Sequence, residues 1–481
     1  MKIVLVTPNF RSGLGLVGSD HYVNPSIGLG LISSILLSKG HDVIIKDPII
    51  EGLSIEQLVD HIIKYKADIL GISAVTMNYN NAVQLAENVK IRNNNIPIIV
   101  GGPHFYSNID TIMRDNEFFD FACVGEGDYV IDKLIDANYA SEKLSEIEGL
   151  VYRKDSIIFK NPMGICTNID ELPLPAYQIY PKPLKGYKPA LYTYKRLPNM
   201  MMVTSRGCPS KCIYCQGSIY NKRVRMHSPE YVINHIKFVV SNYGIRDIFF
   251  IDDIFTLNRK RLYEICDLML KENLKITWTC FIKANSSVDE EMLKLMKKAG
   301  CWMIQPGIES GSPDVLKILK KGSSFTQVER VCRLADKLGI QIKPCFMLGN
   351  PGETKATLKK TFDIALSLPI NHISVSFFSP LPGTPVWDNV HRYGDFNPND
   401  TDNVYFSTPI PCFIPHAMKS EDLENKREEL YYKFYFRMSN MLRNIKYLKD
   451  IHELRRLIKG TVILFKLILG IITHRLRSLQ R

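Results

Sequence analysis

Short apolar runs alternate with amphipathic helical segments along most of the chain. In the first third, runs such as KIVLVTP, HDVIIKD and IPIIVGGP are followed by segments in which apolar residues recur three and four positions apart. Strands that alternate with helices are typical of a parallel sheet with helices on both faces, which binds ligands at the carboxyl ends of its strands. The pattern therefore predicts a doubly wound parallel sheet, an α/β fold, for residues 1–140.

A second series of strands and helices begins in the middle of the chain. Six apolar runs follow one another, separated by helical segments that end in Gly or Pro: MMVTSRG, IRDIFFIDD, KITWTCFIKA, WMIQPGIES, IQIKPCFMLG and HISVSFFSP. Six strands rather than eight predict an open (β/α) partial barrel for residues 196–390. The prolines of residues 141–195 predict an extended linker, and residues 391–481 predict a helical C-terminal region.

The sequence RGCPSKCIYCQG places three of the chain's 11 cysteines, Cys208, Cys212 and Cys215, within eight residues. No signal peptide is recognisable before the first strand and the other cysteines are scattered, so we expect a reducing, cytoplasmic location. In that compartment a dense cysteine cluster indicates a metal site. Zinc usually takes four ligands, often as two CxxC pairs, and the sequence has no second pair. Three thiolates suit a 4Fe–4S cluster that keeps one iron open.

The CxxxCxxC spacing, with Tyr214 before its last cysteine, resembles the radical S-adenosylmethionine (SAM) superfamily. In that superfamily the open iron binds SAM, and an electron from the cluster splits SAM to give a 5′-deoxyadenosyl radical. The resemblance implies a 4Fe–4S cluster, SAM and a reductant such as flavodoxin or ferredoxin.

Polar residues follow the later strands of the predicted barrel, where α/β barrels carry their sites. Asp252 and Asp253 follow the second strand and could bind the amino group of SAM, although Asp253 could equally cap a helix. Glu309 and Ser310 follow the fourth strand, where a carboxylate could accept hydrogen bonds from both ribose hydroxyls. Gly349 lies in MLGNPGET, which resembles the loop that packs under the adenine.

Small and polar residues end the strands of the N-terminal sheet, where they let a bulky ligand approach the backbone or simply form turns. These residues are Thr7, Pro8, Asn9, Ser73, Val75, Thr76, Gly101, Gly102, Pro103, His104, Gly125, Glu126 and Gly127. With the cysteine motif, the order PSIGLGLISSIL, ILGISAVT, IIVGGPH and VGEGD resembles the cobalamin-binding domain that precedes one class of radical SAM enzymes. The DxHxxG motif, whose His binds cobalt in many cobalamin proteins, is absent. The resemblance then implies that the lower face of cobalt binds water or no ligand at all. The alternative is that His104 is its ligand.

The two resemblances imply an enzyme in which cobalamin and SAM face each other. The expected function is C-methylation of an unactivated carbon in a small-molecule or lipid-like substrate, and the alternative is radical cyclisation or ring rearrangement, as in anaerobic porphyrin cyclases. A methylthiotransferase acting on tRNA would carry three cluster cysteines in its N-terminal domain, where this chain has only Cys123, so no nucleic acid is expected. A non-catalytic iron–sulfur or cobalamin-binding protein is the remaining alternative.

The positive charge of the chain is concentrated at its C-terminus. Residues 431–481 contain 12 Lys or Arg and two acids, in a chain whose formal net charge is +12. The apolar run TVILFKLILGIIT has 13 residues and contains Lys466, whereas a spanning helix needs about 20 apolar residues. On a helical wheel one basic stripe is formed by Arg455, Lys459, Lys466 and Arg477. The tail therefore predicts a helix on an anionic membrane surface, peripheral to the inner face; the alternative is a helix packed on the barrel.

Overall fold

The computed structural model describes residues 1–8, 24–106, 108–182, 184, 186–187, 189–217, 223–397, 410–447, 454 and 458. The prediction for Asn9 lies outside these residues, as does the prediction for the apolar, basic tail after Tyr447, apart from Leu454 and Ile458.

The first sheet consists of short, largely apolar strands, and those at its centre are buried on both faces. Its strand order is β2-β1-β3-β4-β5-β6-β7, and the first five strands pair in parallel. The strands are β1 (Lys2–Val6), β2 (Asp42–Lys46), β3 (Ile69–Ser73), β4 (Ile98–Gly101), β5 (Phe121–Cys123), β6 (Leu150–Lys154) and β7 (Ile157–Lys160). This order reverses between β1 and β3, the point at which doubly wound sheets bind ligands.

Helices cover both faces of this sheet, which confirms the predicted doubly wound fold. They are α1 (Ile27–Ser38), α2 (Pro48–Glu51), α3 (Ile55–Tyr65), α4 (Tyr79–Arg92), α5 (Ile109–Asp115), α6 (Val130–Asp136) and α7 (Ser141–Leu144). Helix α3 begins as its sequence predicts, because the Ser54 side chain accepts a hydrogen bond from the backbone N–H of Gln57 at 3.2 Å.

The segment 141–195, interpreted from its prolines as an extended linker, begins instead with regular structure. After α7, the strands β6 and β7 form a hairpin that adds two antiparallel strands to the first sheet. The hairpin turns at Asp155 and Ser156, both of which have positive φ. Two such residues are typical of a type I′ turn, whose usual signal is Asn-Gly or Asp-Gly. The pair Asp-Ser lacks that signal, so the pattern did not predict the hairpin.

The rest of the segment packs between the two halves of the chain. Tyr180 donates a hydrogen bond to the Ser26 carbonyl at the start of α1 at 2.6 Å. The Tyr177 hydroxyl lies 2.8 Å from Nε2 of His235, and both side chains are buried. One apolar core consequently runs from the first sheet through these tyrosines to the second.

The second sheet has seven parallel strands: six form the predicted curled half-barrel, and a seventh, short strand pairs beside them. Its order is β16-β15-β13-β12-β11-β8, and β14 also pairs with β13. The strands are β8 (Asn199–Met202), β11 (Asp247–Phe250), β12 (Thr277–Ile282), β13 (Cys301–Glu309), β14 (Gln341–Ile342), β15 (Cys345–Leu348) and β16 (Ser374–Phe377). Two short strands, β9 (Ser205–Arg206) and β10 (Arg225–Met226), pair beside it. The outer helices are α8 (Pro229–Tyr243), α9 (Arg259–Lys271), α10 (Glu290–Lys298), α11 (Pro313–Ile318), α12 (Phe325–Lys337) and α13 (Lys355–Ser367).

The described part of the C-terminal region contains a two-stranded ribbon as well as helices, and it covers the free edge of the half-barrel. Helix α14 (Ser420–Tyr435) places the Tyr431 hydroxyl 3.1 Å from the backbone nitrogen of Val375 in β16. An uncovered edge strand would present unpaired backbone groups, so this contact completes the sheet. The ribbon of β17 (Gly394–Phe396) and β18 (Phe413–Pro415) precedes α14, and α15 (Met438–Lys446) follows it.

No helix in the described part of the chain is both long enough and apolar enough to cross a membrane.

Candidate active site

The three clustered cysteines lie in the loop that follows β8 and β9, at the carboxyl edge of the half-barrel. All three are reduced thiols, and Cys208 and Cys212 are buried. The loop turns tightly, since the backbone nitrogen of Cys215 lies 3.3 Å from the Cys212 carbonyl oxygen. Burial and the nearby charges of Asp253, Cys212 and Cys208 raise the pKa of the Cys215 thiol to about 11. The thiols are therefore close enough to interact, and a metal would have to displace their protons.

Asp252 fixes the backbone that leads into this loop. Its carboxylate accepts hydrogen bonds from the backbone N–H and the hydroxyl of Thr204, both at 2.7 Å, and from the backbone N–H and the hydroxyl of Ser205. Three of these bonds end on Oδ1 and one on Oδ2, and the residue is only 1% exposed. Asp252 therefore acts as a positioning residue for the loop, and its contact with SAM stays a prediction.

Asp253, the other member of the acidic pair, is exposed at the edge of the half-barrel. Although the residue is exposed, its carboxyl group is partly desolvated by the protein around it, and this desolvation and the charge of Asp252 raise its pKa. It lies against the last described residue of the cysteine loop, because a Cβ added to Gly217 would come within 3.2 Å of its Oδ2. Asp253 is thus the carboxylate of the pair that could contact a ligand beside the cysteines.

Glu309 ends β13 and forms an ion pair beside the cysteine loop. Its Oε1 lies 2.7 Å from Nζ of Lys321, and the same ammonium is 3.3 Å from the Tyr214 hydroxyl. Burial would lower the pKa of Lys321, but the charge of Glu309 and its hydrogen bond raise it. Glu309 also has φ of +66°, a strained conformation for a non-Gly residue that costs on the order of 1–3 kcal/mol. Strain of this kind is typical of functional sites.

Ser310 and Gly349 occupy structural positions close to this pair. The Ser310 hydroxyl is buried, 3.2 Å from the hydroxyl of Thr361 on α13 and hydrogen-bonded to the backbone N–H of Ser312. Gly349 has positive φ, and its N–H donates to the Glu353 carboxylate at 2.6 Å. Burial raises the pKa of Glu353 to about 7. These contacts close the loops after β13 and β15 on themselves, so a ligand would meet their backbone more readily than their side chains.

The predicted cobalamin residues that are described lie at the carboxyl edge of the first sheet. The loops after β1 and β3 are joined by Asn78, whose side chain accepts from the Val75 N–H at 2.8 Å and donates to the Pro8 carbonyl at 3.0 Å. Nδ1 of His104 lies 3.2 Å from the Thr76 hydroxyl, and burial lowers the pKa of this imidazole to about 4. His104 is therefore a neutral, buried side chain that packs on Tyr79.

Two glycines at this edge are required by close backbone contacts. A Cβ on Gly102 would come within 2.5 Å of the Ala74 carbonyl oxygen, and a Cβ on Gly125 within 2.6 Å of the Gly164 carbonyl oxygen. Both glycines have φ near +100°. Packing of the strand ends alone accounts for these two residues.

Four charged side chains join the carboxyl edges of the two sheets. Arg206, which directly precedes the cysteine loop, makes a two-bond contact with Asp128 and reaches Glu126 at 3.1 Å. Arg225 donates a second two-bond contact to Glu126. Burial acts to raise the pKa of Glu126, but the hydrogen bond from Arg225 and the charges of both arginines outweigh it and lower the pKa. The loop after β5 and the loop that carries the cysteines are therefore held against each other.

Sequence reasoning missed Asp128, Arg206, Arg225 and Lys321. The two arginines flank the cysteine motif and the acids lie in VGEGD, so each half of the network was visible in the sequence. What the sequence did not indicate is that the two motifs pair with each other, because that requires the relative placement of the sheets.

The residues present fit an iron–sulfur cluster better than a single metal ion. In the described residues, no three His, Cys, Asp or Glu side chains are arranged to hold one ion. The three thiols of a 4Fe–4S cluster bind three different irons and do not converge on one point. Lys321 adds a positive charge that favours thiolate at Cys212, against the effect of burial.

Comparison with known proteins agrees with both halves of the site. The radical SAM superfamily matches residues 202–365, and the B12-binding domain matches residues 13–135. An uncharacterised methyltransferase of Pyrococcus horikoshii is 32% identical, over 92% of this chain and 95% of its own. An anaerobic magnesium-protoporphyrin IX monomethyl ester cyclase of Cereibacter sphaeroides is 25% identical, over 91% and 71%. The radical SAM methyltransferase TsrM of Kitasatospora setae shares the fold with a TM-score of 0.66 at 17% identity, over 81% and 76%.

We predict that replacing Arg206 with Met destabilises the protein strongly. The change leaves the buried charge of Asp128 without its ion-pair partner, while Glu126 keeps its two-bond contact with Arg225. An unpaired buried charge typically costs about 3–5 kcal/mol, and adding Asp128→Asn to the same chain should recover part of the loss. The shift in the denaturant midpoint measures both effects.

The matched control for this prediction is Arg259→Met. Arg259 makes a comparable two-bond contact with Asp289, but both side chains are about 40% exposed, and exposed pairs contribute about 1 kcal/mol or less. Equal losses in the two single variants would contradict the buried network.

Proposed function

This chain belongs to the cobalamin-dependent radical SAM enzymes, and we propose that it transfers a methyl group to an unactivated carbon of a small-molecule substrate. The two family matches and the methyltransferase relative confirm the predicted family and, with it, the 4Fe–4S cluster, SAM and cobalamin as cofactors. When bound, the cluster and SAM supply a carbon-centred radical and cobalamin supplies a methyl group. The observation that carries the proposal is the ion-paired contact between the two ligand-binding edges.

We propose that Cys208, Cys212 and Cys215 hold the cluster. Asp252 supports them by fixing Thr204 and Ser205, so that the loop enters from a rigid strand end. A rigid approach favours a single geometry of the three thiols and leaves the fourth iron to SAM.

For SAM, the proposed contacts are the exposed Asp253, the Glu309–Lys321 pair and the backbone of the loop at Gly349. Carboxylate oxygens suit an ammonium or vicinal hydroxyls, and the Lys321 ammonium suits a carboxylate. Because Glu309 already binds Lys321, the pair can rearrange so that each group meets the oppositely charged part of SAM. Ser310 then supports the turn from within.

For cobalamin, the proposed site is the carboxyl edge of the first sheet around the switch between β1 and β3. The proposed residues are Thr7, Pro8, Ser73, Val75, Thr76, Gly101, Gly102, Pro103, His104, Gly125, Glu126 and Gly127. Within this set, Val75 is an exposed apolar side chain at a strand end, which suits a large planar ligand. Glu126 would not contact cobalamin directly. Through its ion pairs with Arg206 and Arg225 it holds this edge of the first sheet against the half-barrel.

A second candidate is radical cyclisation, and the similarity to the porphyrin cyclase supports it. Cyclisation needs the same radical but consumes no methyl group. Both reactions therefore form 5′-deoxyadenosine from SAM, but only methyl transfer also forms S-adenosylhomocysteine.

The test is made on anaerobically reconstituted enzyme that is supplied with reductant and methyl-labelled SAM. Methyl transfer predicts both 5′-deoxyadenosine and S-adenosylhomocysteine, with the label passing to a compound in a cell extract. Deoxyadenosine without S-adenosylhomocysteine would favour cyclisation, and neither product would contradict radical chemistry altogether.

We predict that Cys208→Ala, Cys212→Ala and Cys215→Ala each abolish deoxyadenosine formation and lower the iron content. Cys345→Ala is the matched control, because Cys345 belongs to the same half-barrel but lies outside the loop. Iron and sulfide analysis, with the visible absorption of the cluster, provides the measurement. Normal SAM cleavage in any of the three loop variants would refute the assignment.

We further propose that the protein attaches to the inner face of the membrane through α15 and the tail that follows it. Helix α15 turns its polar side inward, where Arg443 pairs with Asp336 and Asn444 bonds Asn371. Its apolar side chains face outward: Met438 is 69% exposed, Met441 46%, Leu442 60% and Ile445 56%. The basic residues of the tail would complement anionic lipid, so an anionic bilayer is the occupant that the charges favour. Attachment there would suit a lipid-like substrate.

Flotation with phosphatidylglycerol liposomes at low salt tests this attachment. The unchanged protein should float, and a Met438→Glu/Leu442→Glu variant should remain at the bottom because its charges face the bilayer. Ile91→Glu is the control, since Ile91 is an exposed apolar residue on α4. If the unchanged protein stays at the bottom, or the α15 variant floats equally well, the apolar face is covered by the tail or another protein surface instead.

A further inference from the structure

The concave face of the half-barrel carries polar side chains that no proposed cofactor contact uses. Cys280, Ile304 and Ile342 belong to the apolar core that the outer helices complete. Successive side chains of a strand point to opposite faces, so Phe281 and Gln305 point to the concave side. Strand pairing sets Phe281 opposite Gln305 and Met303 opposite Gln341.

Lys343 lies on the same concave face, two residues after Gln341. Its backbone N–H donates to the Ile304 carbonyl at 3.0 Å, which continues the β13 pairing and aligns Lys343 with Gln305. The side chain is partly exposed. None of the described residues accepts a hydrogen bond from its ammonium or forms an ion pair with it. Burial lowers its pKa, and the neighbouring Cys345 thiol, whose pKa burial raises to about 11, is neutral near pH 7.

Two other lysines, Lys321 and Lys283, already have partners. Lys321 binds Glu309 at 2.7 Å, and Nζ of Lys283 lies 3.4 Å from the Ser210 hydroxyl. Both lie toward the cysteine loop. Lys343 is deeper, because Gln305, its neighbour in register, precedes Glu309 by four residues, or roughly 13 Å of extended strand. The carboxylate of SAM is therefore expected near Lys321 rather than near Lys343.

Gln341 adds a second polar group without a partner. Its side chain is only 4% exposed, and its buried Oε1 accepts no hydrogen bond from any described residue. A buried polar group without a partner is costly, and native proteins rarely retain one unless a ligand or water satisfies it. Gln305 differs, because its amide lies 3.4 Å from the Thr279 hydroxyl.

We propose that Lys343 and Gln341 bind a carboxylate of the substrate. One ammonium balances the single charge of a carboxylate, whereas a phosphate would bring up to two charges into a site with one cation. With its amide turned so that Nε2 takes the place of Oε1, Gln341 donates a second hydrogen bond to the carboxylate. The Phe249–Phe281 pair on the same face, with ring centroids 5.0 Å apart, supplies an apolar surface beside it. The inference rests on the proposed function, since it names the substrate as a carboxylic acid with an apolar body.

Protection of Lys343 from acetylation tests the site. Holoenzyme with cluster, cobalamin and SAM is treated with limiting succinimidyl acetate, and the modification of Lys343 is measured by peptide mass spectrometry. Acetate, hexanoate and benzoate are each compared with the amide of the same skeleton, and Lys260, whose side chain is 87% exposed, is the internal reference.

We expect at least one carboxylate to protect Lys343 about tenfold better than its amide, as a charge-assisted hydrogen bond implies, with Lys260 unaffected. In the Gln341→Leu variant, Lys343 should still be acetylated at the normal rate when no carboxylate is added. The protection that a carboxylate gives should be smaller than in the unchanged protein. The proposal is overturned if none of the three carboxylates protects, if the amides protect equally, or if SAM added to the SAM-free enzyme gives the same protection.

These outcomes are independent of SAM cleavage. Protection of Lys343 without deoxyadenosine formation would support the carboxylate site and contradict the proposed function. Deoxyadenosine formation without protection would support the proposed function and contradict the carboxylate site.

Discussion

The pairing of Arg206 and Arg225 with Glu126 and Asp128 is the interaction on which the rest of the site depends. Each sheet has its own ligand-binding edge, but neither edge alone can carry out chemistry that needs two cofactors. The four charges are largely withdrawn from water and make two-bond contacts, so their pairing is specific in direction as well as favourable. Removing one partner would leave buried charge, which makes any other arrangement of the two edges expensive.

This ion pairing also fixes the cysteine loop, because Arg206 belongs to the backbone that leads into it. Arg206 lies between Ser205, which Asp252 binds, and Cys208. Arg261 on α9 donates to the Thr204 and His227 carbonyls and supports the same strand from outside. The residues before the first cysteine are thus held by the carboxylate of Asp252, by the guanidinium of Arg261 and by two acids of the first sheet. Flexible side chains around the cofactors, such as Asp253 and the Glu309–Lys321 pair, can then adjust without moving the loop.

Much of this architecture could be predicted from the sequence, because alternating strands and helices leave few topologies and CxxxCxxC is specific. What the sequence did not predict depended on tertiary contacts or weak turn signals. The Asp155–Ser156 turn lacks the usual glycine, so the pattern predicted a linker where the structure has a hairpin. Asp252 lies at the strand end where SAM is expected, but the sequence does not reveal that its carboxylate binds Thr204 and Ser205. The sequence did not predict a site at Lys343 and Gln341, because only the strand register shows that both lie on the concave face.

The central claim is that the two cofactor-binding edges are held face to face. The most direct test is the magnetic interaction between cob(II)alamin and the reduced 4Fe–4S cluster, measured by pulsed electron paramagnetic resonance on frozen holoenzyme. We predict a dipolar interaction in the unchanged protein that is weakened and broadened in Arg206→Met. Two signals that behave as isolated spins in the unchanged protein, with both cofactors bound, would contradict the account.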